Sequence, residues 1–293
     1  MPKRAFSKPA LSVNELIAFL QSKGLQFRDL AYAEHCLSYI GYYRLKIYTR
    51  AFEDSNKNFS VGTSFEDIIE IYDFDRRLRV LCLSALEKIE IALRAQIINV
   101  MGAHGGPHFY YEEKYFQNKK AVNSLRNLGS KDTRSLPVKH YRAQYDSPHL
   151  PPIWCLAEVS TFGDVSHCFA DLDLEYRKEI SSAFGENETV CVSWIRALST
   201  LRNICAHHDR LWNSDLVVNR PVLAKKYRSE LATDRVYSRL VIMRVLLGRI
   251  DHQRGRTWIE DLKSLVADKP SKVRLQDMGF DQSWDATPAW STV

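Results

Sequence analysis

The sequence predicts an all-α protein. Apolar residues recur at helical spacing along most of the chain, most clearly at Ile68, Ile71, Leu78, Leu81, Leu86, Ile89, Leu93 and Ile97. Helix-start signals stand directly before such runs in Ser12-Val-Asn-Glu15 and Ser64-Phe-Glu-Asp67, where a hydroxyl and an acid three residues apart can each accept a backbone N–H of the other. Glycine and proline gather where the runs end, as at Gly102, Gly105, Gly106 and Pro107.

Each element follows in order. The first capping box opens LIAFLQSK, and Gly24 stops it. RDLAYAEHCLSYIG gives a second helix ending near Gly41. YYRLKIYTRAF, Tyr42 to Phe52, reads as a short strand or a helical turn, and SNKNFSVGTS as a loop. The second capping box opens a long helix reaching about Met101. Residues 108–150 are the most irregular stretch, aromatic and then basic, closed by Pro148, Pro151 and Pro152. IWCLAEVSTFGDVSHCFADL predicts two short helices pivoting at Gly163, and LEYRKEISSAF predicts another. Asn187 or Thr189 starts the next helix, and a last pair covers roughly 233–250 and 255–267 before a tryptophan-containing tail. There is no internal repeat and no low-complexity linker. The simplest organisation is an N-terminal helical subdomain over 1–60, a helical domain over 61–270 with an insert at about 108–150, and a C-terminal tail over 271–293.

Composition narrows the chemistry. With 293 residues and 45% hydrophobic content the chain can bury one large core or two modest ones. No run approaches the ~18 apolar residues of a membrane span, and the basic start MPKRAFSKPALS lacks an apolar signal core, so a cytoplasmic protein without membrane partner is expected. Cys36, Cys82, Cys155, Cys168, Cys191 and Cys205 are scattered, without a CxxC pair, and read as reduced thiols. Neither HExxH nor GxxxxGK[ST] occurs, so the expectation is no metal and no cofactor. The net charge of +6 is unevenly spread. From Lys114 to Arg142 eight Lys/Arg face one acid, a net +7, and from Arg220 to Arg256 ten face three, again +7. Two basic segments on an acidic background suit a polyanion, and solvated helix faces are the plainer account.

One stretch concentrates ionisable groups: LRNICAHHDRLW, Leu201 to Trp212. Placed on one helix from Val190 to Trp212 at about 100° per residue, Arg196, Ser199, Thr200, Asn203, His207 and Arg210 share a side, opposite Trp194, Leu198, Leu201, Cys205 and Trp212. Arg202 lies on the flank, with a side chain long enough to lean toward the stripe. Histidine can take a proton from a ribose 2′-OH or give one to a leaving 5′-oxygen. Arginine offers a permanent charge and a fork that matches a phosphorane, and asparagine can orient either. Attack by a 2′-OH needs no metal. Arginine-to-histidine spacing alone is a weak signal, since Arg28 and His35, Arg134 and His140, and Arg142 and His149 show similar separations.

LRNICAHHDRLWN resembles the signature of the Abi-like (AbiD/AbiF) abortive-infection proteins of bacteria, within the HEPN superfamily of helical ribonucleases, whose hallmark is an arginine, a polar residue, three more and a histidine. LSYIGYYRLKIYTRAF, LRVLCLSALEKIEIALRAQI and PPIWCLAEVSTFGDVS are similar to three further blocks of that family, so the likeness runs in order over roughly 10–250. It implies a HEPN-type helical bundle and a role in anti-phage defence, often as a toxin restrained by a small structured RNA. It also implies a homodimer in which two motifs meet across a cleft. Carried over by position, Arg202 and His207 are catalytic, Asn203 supports them, and His208 and Arg210 are weaker candidates.

Candidate RNA contacts are Tyr43, Arg44, Lys119, Lys120, Arg126, Lys131, Arg134, Lys139 and Arg196. Tyr42, Tyr43 and Arg44 can stack on and contact RNA, but such a block more often packs between subdomains, and packing is the preferred reading. Glu90 and Arg94, one helical turn apart, read as a structural pair; Glu158 and Asp164 in isolation can form a general-acid pair, whereas the family resemblance implies that they cap or brace the Gly163 pivot. The expected function is a metal-independent endoribonuclease leaving a 2′,3′-cyclic phosphate. The alternative from another class is a non-catalytic RNA-binding dimer that scaffolds or sequesters a noncoding RNA.

Overall fold

The computed structural model describes residues 5, 9–130 and 135–291, without the side chains of residues 119–122, 252, 254, 288 and 291. Among the described residues every regular element is a helix, and pairing of extended backbone is limited to isolated bridges such as Glu53 with Phe59. Packing divides the chain into two compact units, Met1–Arg77 with Asp268–Val273, and Leu78–Ala267 with Arg274–Val293. The division falls inside a long helix.

The first unit contains α1 (Val13–Ser22), α2 (Leu30–Tyr39), α3 (Tyr42–Thr49) and the start of α4 (Phe65–Gly105). Ser12 and Glu15 form the predicted capping box. Gly24 follows at φ 90, a left-handed conformation that glycine adopts without a Cβ penalty. Asp29 caps α2 by accepting the Tyr32 N–H at 2.9 Å. The ambiguous Tyr42–Phe52 stretch is helical: Gly41, at φ 79, turns the chain into α3, which tightens into a 3₁₀ turn over Arg50–Phe52. Ser64 and Asp67 form the second box, and Asp67 also accepts from Arg28 at 2.8 Å. Within this unit Leu20, Leu37, Leu45, Tyr48, Ile68 and Ile71 are buried, and the Tyr48 hydroxyl donates to the buried Asp75 at 2.7 Å.

In the second unit α4 buries Leu78, Cys82, Ala85, Leu86, Ile89, Leu93 and Ile97. The described residues of the 108–150 stretch are more regular than its composition suggests. After 3₁₀ turns over Phe109–Tyr111 and Glu113–Tyr115 it forms α5 (Lys119–Ser130) and α6 (Leu136–Gln144). Buried Leu125 anchors α5, which packs on α7 (Ile153–Val159) and α8 (Phe162–Asp171), and Val138 and Tyr141 anchor α6 on α7. Proline beside the start of α6 is harmless because the first helical N–H groups have no intrahelical partner anyway.

The pivot between α7 and α8 lies at Ser160–Thr161, not at Gly163, which sits in the first turn of α8. Thr161 and Asp164 make a third capping box there, so Asp164 braces the helix start as expected. Arg94 pairs with Glu90 and also donates to the Ala157 and Ser160 carbonyls at 2.6 and 2.8 Å. An i,i+4 ion pair of α4 thereby satisfies the open C-terminal carbonyls of α7. The chain continues through α9 (Leu174–Ala183), α10 (Glu188–Ala206), α11 (Arg228–Leu231), α12 (Val236–Ile250), α13 (His252–Ala267) and α14 (Pro288–Ser291).

Helix α10 is the centre of this unit, packed on α8, α9 and α12. The tail is part of the core: Trp290 Nε1 donates to the Tyr237 hydroxyl at 3.0 Å, and Trp284 and Trp258 pack around it. All six cysteines are free and buried. Burial pushes the Cys168 and Cys191 thiols up to about 12, which leaves them protonated and poor nucleophiles at neutral pH. No helix among the described residues is long and apolar enough to cross a membrane.

Candidate active site

The ionisable cluster sits where α10 ends, and the ending differs from the single helix expected through Trp212. Asn187 starts α10 by accepting the Val190 N–H at 2.9 Å. The last helical residue is Ala206, and His207 is the C-cap at φ −86, ψ 5. His208 then turns left-handed at φ 61. Its N–H reaches the Cys205 carbonyl at 3.1 Å, and the Asp209 N–H reaches Ile204 at 2.9 Å. This is a Schellman closure with histidine where glycine or asparagine is usual. A Cβ in this conformation is strained, so His208→Gly should be more stable than His208→Ala by about 1 kcal/mol in thermal or urea unfolding. Both variants lose the imidazole, so the difference isolates the backbone.

The closure takes Arg210 off the expected polar stripe, and the residues that remain on the stripe fall into two environments. Its upstream part is taken up inside the protomer. Ser199 is buried, Thr200 Oγ1 accepts from Asn219 Nδ2 at 2.8 Å, and Ser193 Oγ accepts the Val222 N–H at 2.9 Å. Trp194 Nε1 donates to the Val222 carbonyl at 3.0 Å. The 213–224 segment is thereby held along α10. Its downstream part is open to solvent: Asn203, His207, His208 and Asp209 are exposed, and Arg202 is half-buried. Arg202 Nη1 lies 3.4 Å from Asn203 Oδ1, and the His207 N–H donates to the Asn203 carbonyl at 2.9 Å. Arginine, asparagine and histidine therefore share one exposed helical turn on a buried base. From the α4 side, Arg79 Nη1 approaches the Asp209 carbonyl at 3.5 Å, beneath the same turn.

The other candidates fall elsewhere. Arg210 lies beyond the helix, donates to Ser214 Oγ and the Asn213 carbonyl at 3.2 Å each, and stands over Trp212, so it shapes the following loop. Arg196 is half-buried, and its Nε has no hydrogen-bond partner among the described residues. Arg126 donates to the Tyr111 carbonyl at 2.5 Å and braces α5, whereas Lys139 is exposed on α6. Tyr43, 91% exposed, and Arg44 belong to α3 of the first unit. Lys131 and Arg134, and the side chains of Lys119 and Lys120, lie outside the described residues. Within the second basic segment Arg239 and Arg244 are buried in α12, so that run is not a continuous solvated surface. Their surroundings were visible in SRLVIMRVLL, where two arginines interrupt an apolar run, a pattern more typical of a buried helix than of a charged face.

The family described as Abi-like protein matches residues 35–213, which include the turn at Arg202–His207. The chain belongs to the Abi-like family, and this connects it with abortive infection, a defence against phage. Comparison with curated proteins and with solved structures found no match.

Proposed function

We propose that the protein is an RNA-binding, metal-independent endoribonuclease of anti-phage defence, acting as a homodimer and restrained by a cognate noncoding RNA. The observation that carries this reading is the exposed Arg202–Asn203–His207 turn at the end of an otherwise buried helix, in a chain of the Abi-like family.

In this reading Arg202 holds a phosphate oxygen and offsets the charge that builds on phosphorus. His207 takes the proton of the ribose 2′-OH while the O2′–P bond forms and the P–O5′ bond breaks. A protonated imidazole, contributed by the second copy's motif, delivers a proton to the leaving 5′-oxygen. Asn203 orients Arg202 through the contact already present. His207 is exposed, so its imidazole is reachable by a substrate.

The experiment is purification under native conditions followed by sequencing of co-purifying RNA and measurement of its affinity against salt. A discrete RNA is expected, whose affinity falls steeply as salt rises because phosphate contacts release counterions. Absence of RNA affinity at low salt contradicts the proposal. RNA that binds and stays intact through long incubation with active-length protein supports the scaffold instead.

A further inference from the structure

Along the flank of α10, next to the exposed turn, lies a groove of about 210 Å³. Its walls are Ala197, Leu201 and Ile204 on the helix side and Leu216, Val217 and Val218 on the facing strap, with Thr200 and Asp215 at polar positions. Ile204 follows Asn203 directly, so the groove begins within one helical turn of the candidate active site.

Arg239 of α12 also lines this groove and is 1% exposed. Its Nη1 donates to Ser238 Oγ at 2.8 Å and its Nη2 to the Leu216 carbonyl at 2.7 Å. Both acceptors are neutral. Among the described residues no carboxylate lies within ion-pairing distance of it; nearby Asp234 is engaged by Arg220 at 2.7 Å and Asp215 by Arg235 at 3.2 Å. Burial lowers the guanidinium to about 10, which still leaves it charged at neutral pH. A buried cation without a counter-charge is costly, and a guanidinium carries five N–H donors, more than two neutral acceptors use. An electronegative oxygen delivered through the groove would complete it. Apolar walls around a single cationic donor suit a flat, weakly polar ring that carries such an oxygen.

We infer that this groove is a subsite for one everted nucleotide of the bound RNA, its base against Leu201, Ile204 and Val218 and a base carbonyl or phosphate oxygen on Arg239. The inference rests on the RNA reading above. Such a subsite makes Arg239 and the Val217–Val218 strap determinants of base preference beside the reacting phosphate.

The test is calorimetric titration of the full chain with uridine 5′-monophosphate and adenosine 5′-monophosphate at millimolar concentration, with inorganic phosphate as control. RNA binding is measured in parallel by filter retention at low salt. Val218 is 62% exposed, so Val218→Trp is accommodated at the surface while its indole occupies the groove. At least one mononucleotide should bind the parent more tightly than phosphate does, and V218W should weaken it tenfold or more. Arg239→Met, checked for folding by circular dichroism, should do the same; should it fail to fold, V218W decides alone. Equal mononucleotide affinity in V218W and parent overturns the subsite. So does a parent that binds RNA but no mononucleotide, a result that leaves the RNA reading standing. A parent that binds a mononucleotide, loses it in V218W, and binds no RNA keeps the groove as a nucleotide site and removes the ribonuclease reading.

Discussion

If the proposed function holds, His207→Ala is expected to lose RNA cleavage by about 10²–10⁴-fold, while its affinity for the same RNA stays within about twofold. The size follows from the role. A positioned acid–base group contributes that much to proton transfer, whereas one exposed imidazole adds little to binding dominated by phosphate charge. The fold is not at risk, because His207 is an exposed C-cap whose backbone N–H, not its ring, closes the helix on Asn203. His208→Gly tests the weaker candidate beside it: it removes the neighbouring imidazole while suiting the left-handed backbone at φ 61, and a smaller loss than in His207→Ala is expected. Gel assays of a labelled RNA measure both variants. A His207→Ala protein that cuts as fast as the parent removes this residue from the mechanism.

The second large effect is structural. Trp194→Ala is expected to destabilise the protein by about 3–5 kcal/mol, the range for deleting a fully buried aromatic side chain. That is a large share of the ~5–15 kcal/mol that typically separates folded from unfolded domains. Trp194 is fully buried, packs near Tyr227 and donates its indole N–H to Val222. Truncation therefore opens a cavity under α10 and leaves a carbonyl of the 213–224 strap without its donor. Trp194→Phe keeps most of the apolar volume and should cost less. Urea unfolding followed by far-ultraviolet circular dichroism gives both midpoints. An alanine variant within 1 kcal/mol of the parent would show that α10 is not anchored through this side chain.

What could be read in advance was mostly local. Ser12 with Glu15 and Ser64 with Asp67 announced their helices because a capping box involves four adjacent residues and nothing else. Thr161 with Asp164 carries the same signature, yet Gly163 drew the pivot to itself, since glycine inside a short helix looks like a break. The end of α10 was hidden for the opposite reason: the left-handed position holds His208, without the glycine or asparagine that normally marks it. Arg202, Asn203 and His207 could still be grouped, because all three lie before or at the cap. Arg210 and Trp212 could not be placed by helical periodicity, since they lie past it. Helices α5 and α6 were obscured by a basic surface around few apolar anchors such as Leu125 and Val138. The apolar run SRLVIMRVLL signals a buried Arg239, but its partner, the carbonyl of the distant Leu216, is not reported by spacing along the chain.

The proposed chemistry at the α10 turn is cleavage of RNA by 2′-OH attack without metal. The most direct measurement is the chemistry of the product ends, made with purified protein in the presence of EDTA. The expected products carry 2′,3′-cyclic phosphate and 5′-hydroxyl termini, formed at an undiminished rate by the parent and not by His207→Ala. Products bearing 3′-hydroxyl and 5′-phosphate ends, or cleavage abolished by EDTA, would contradict it.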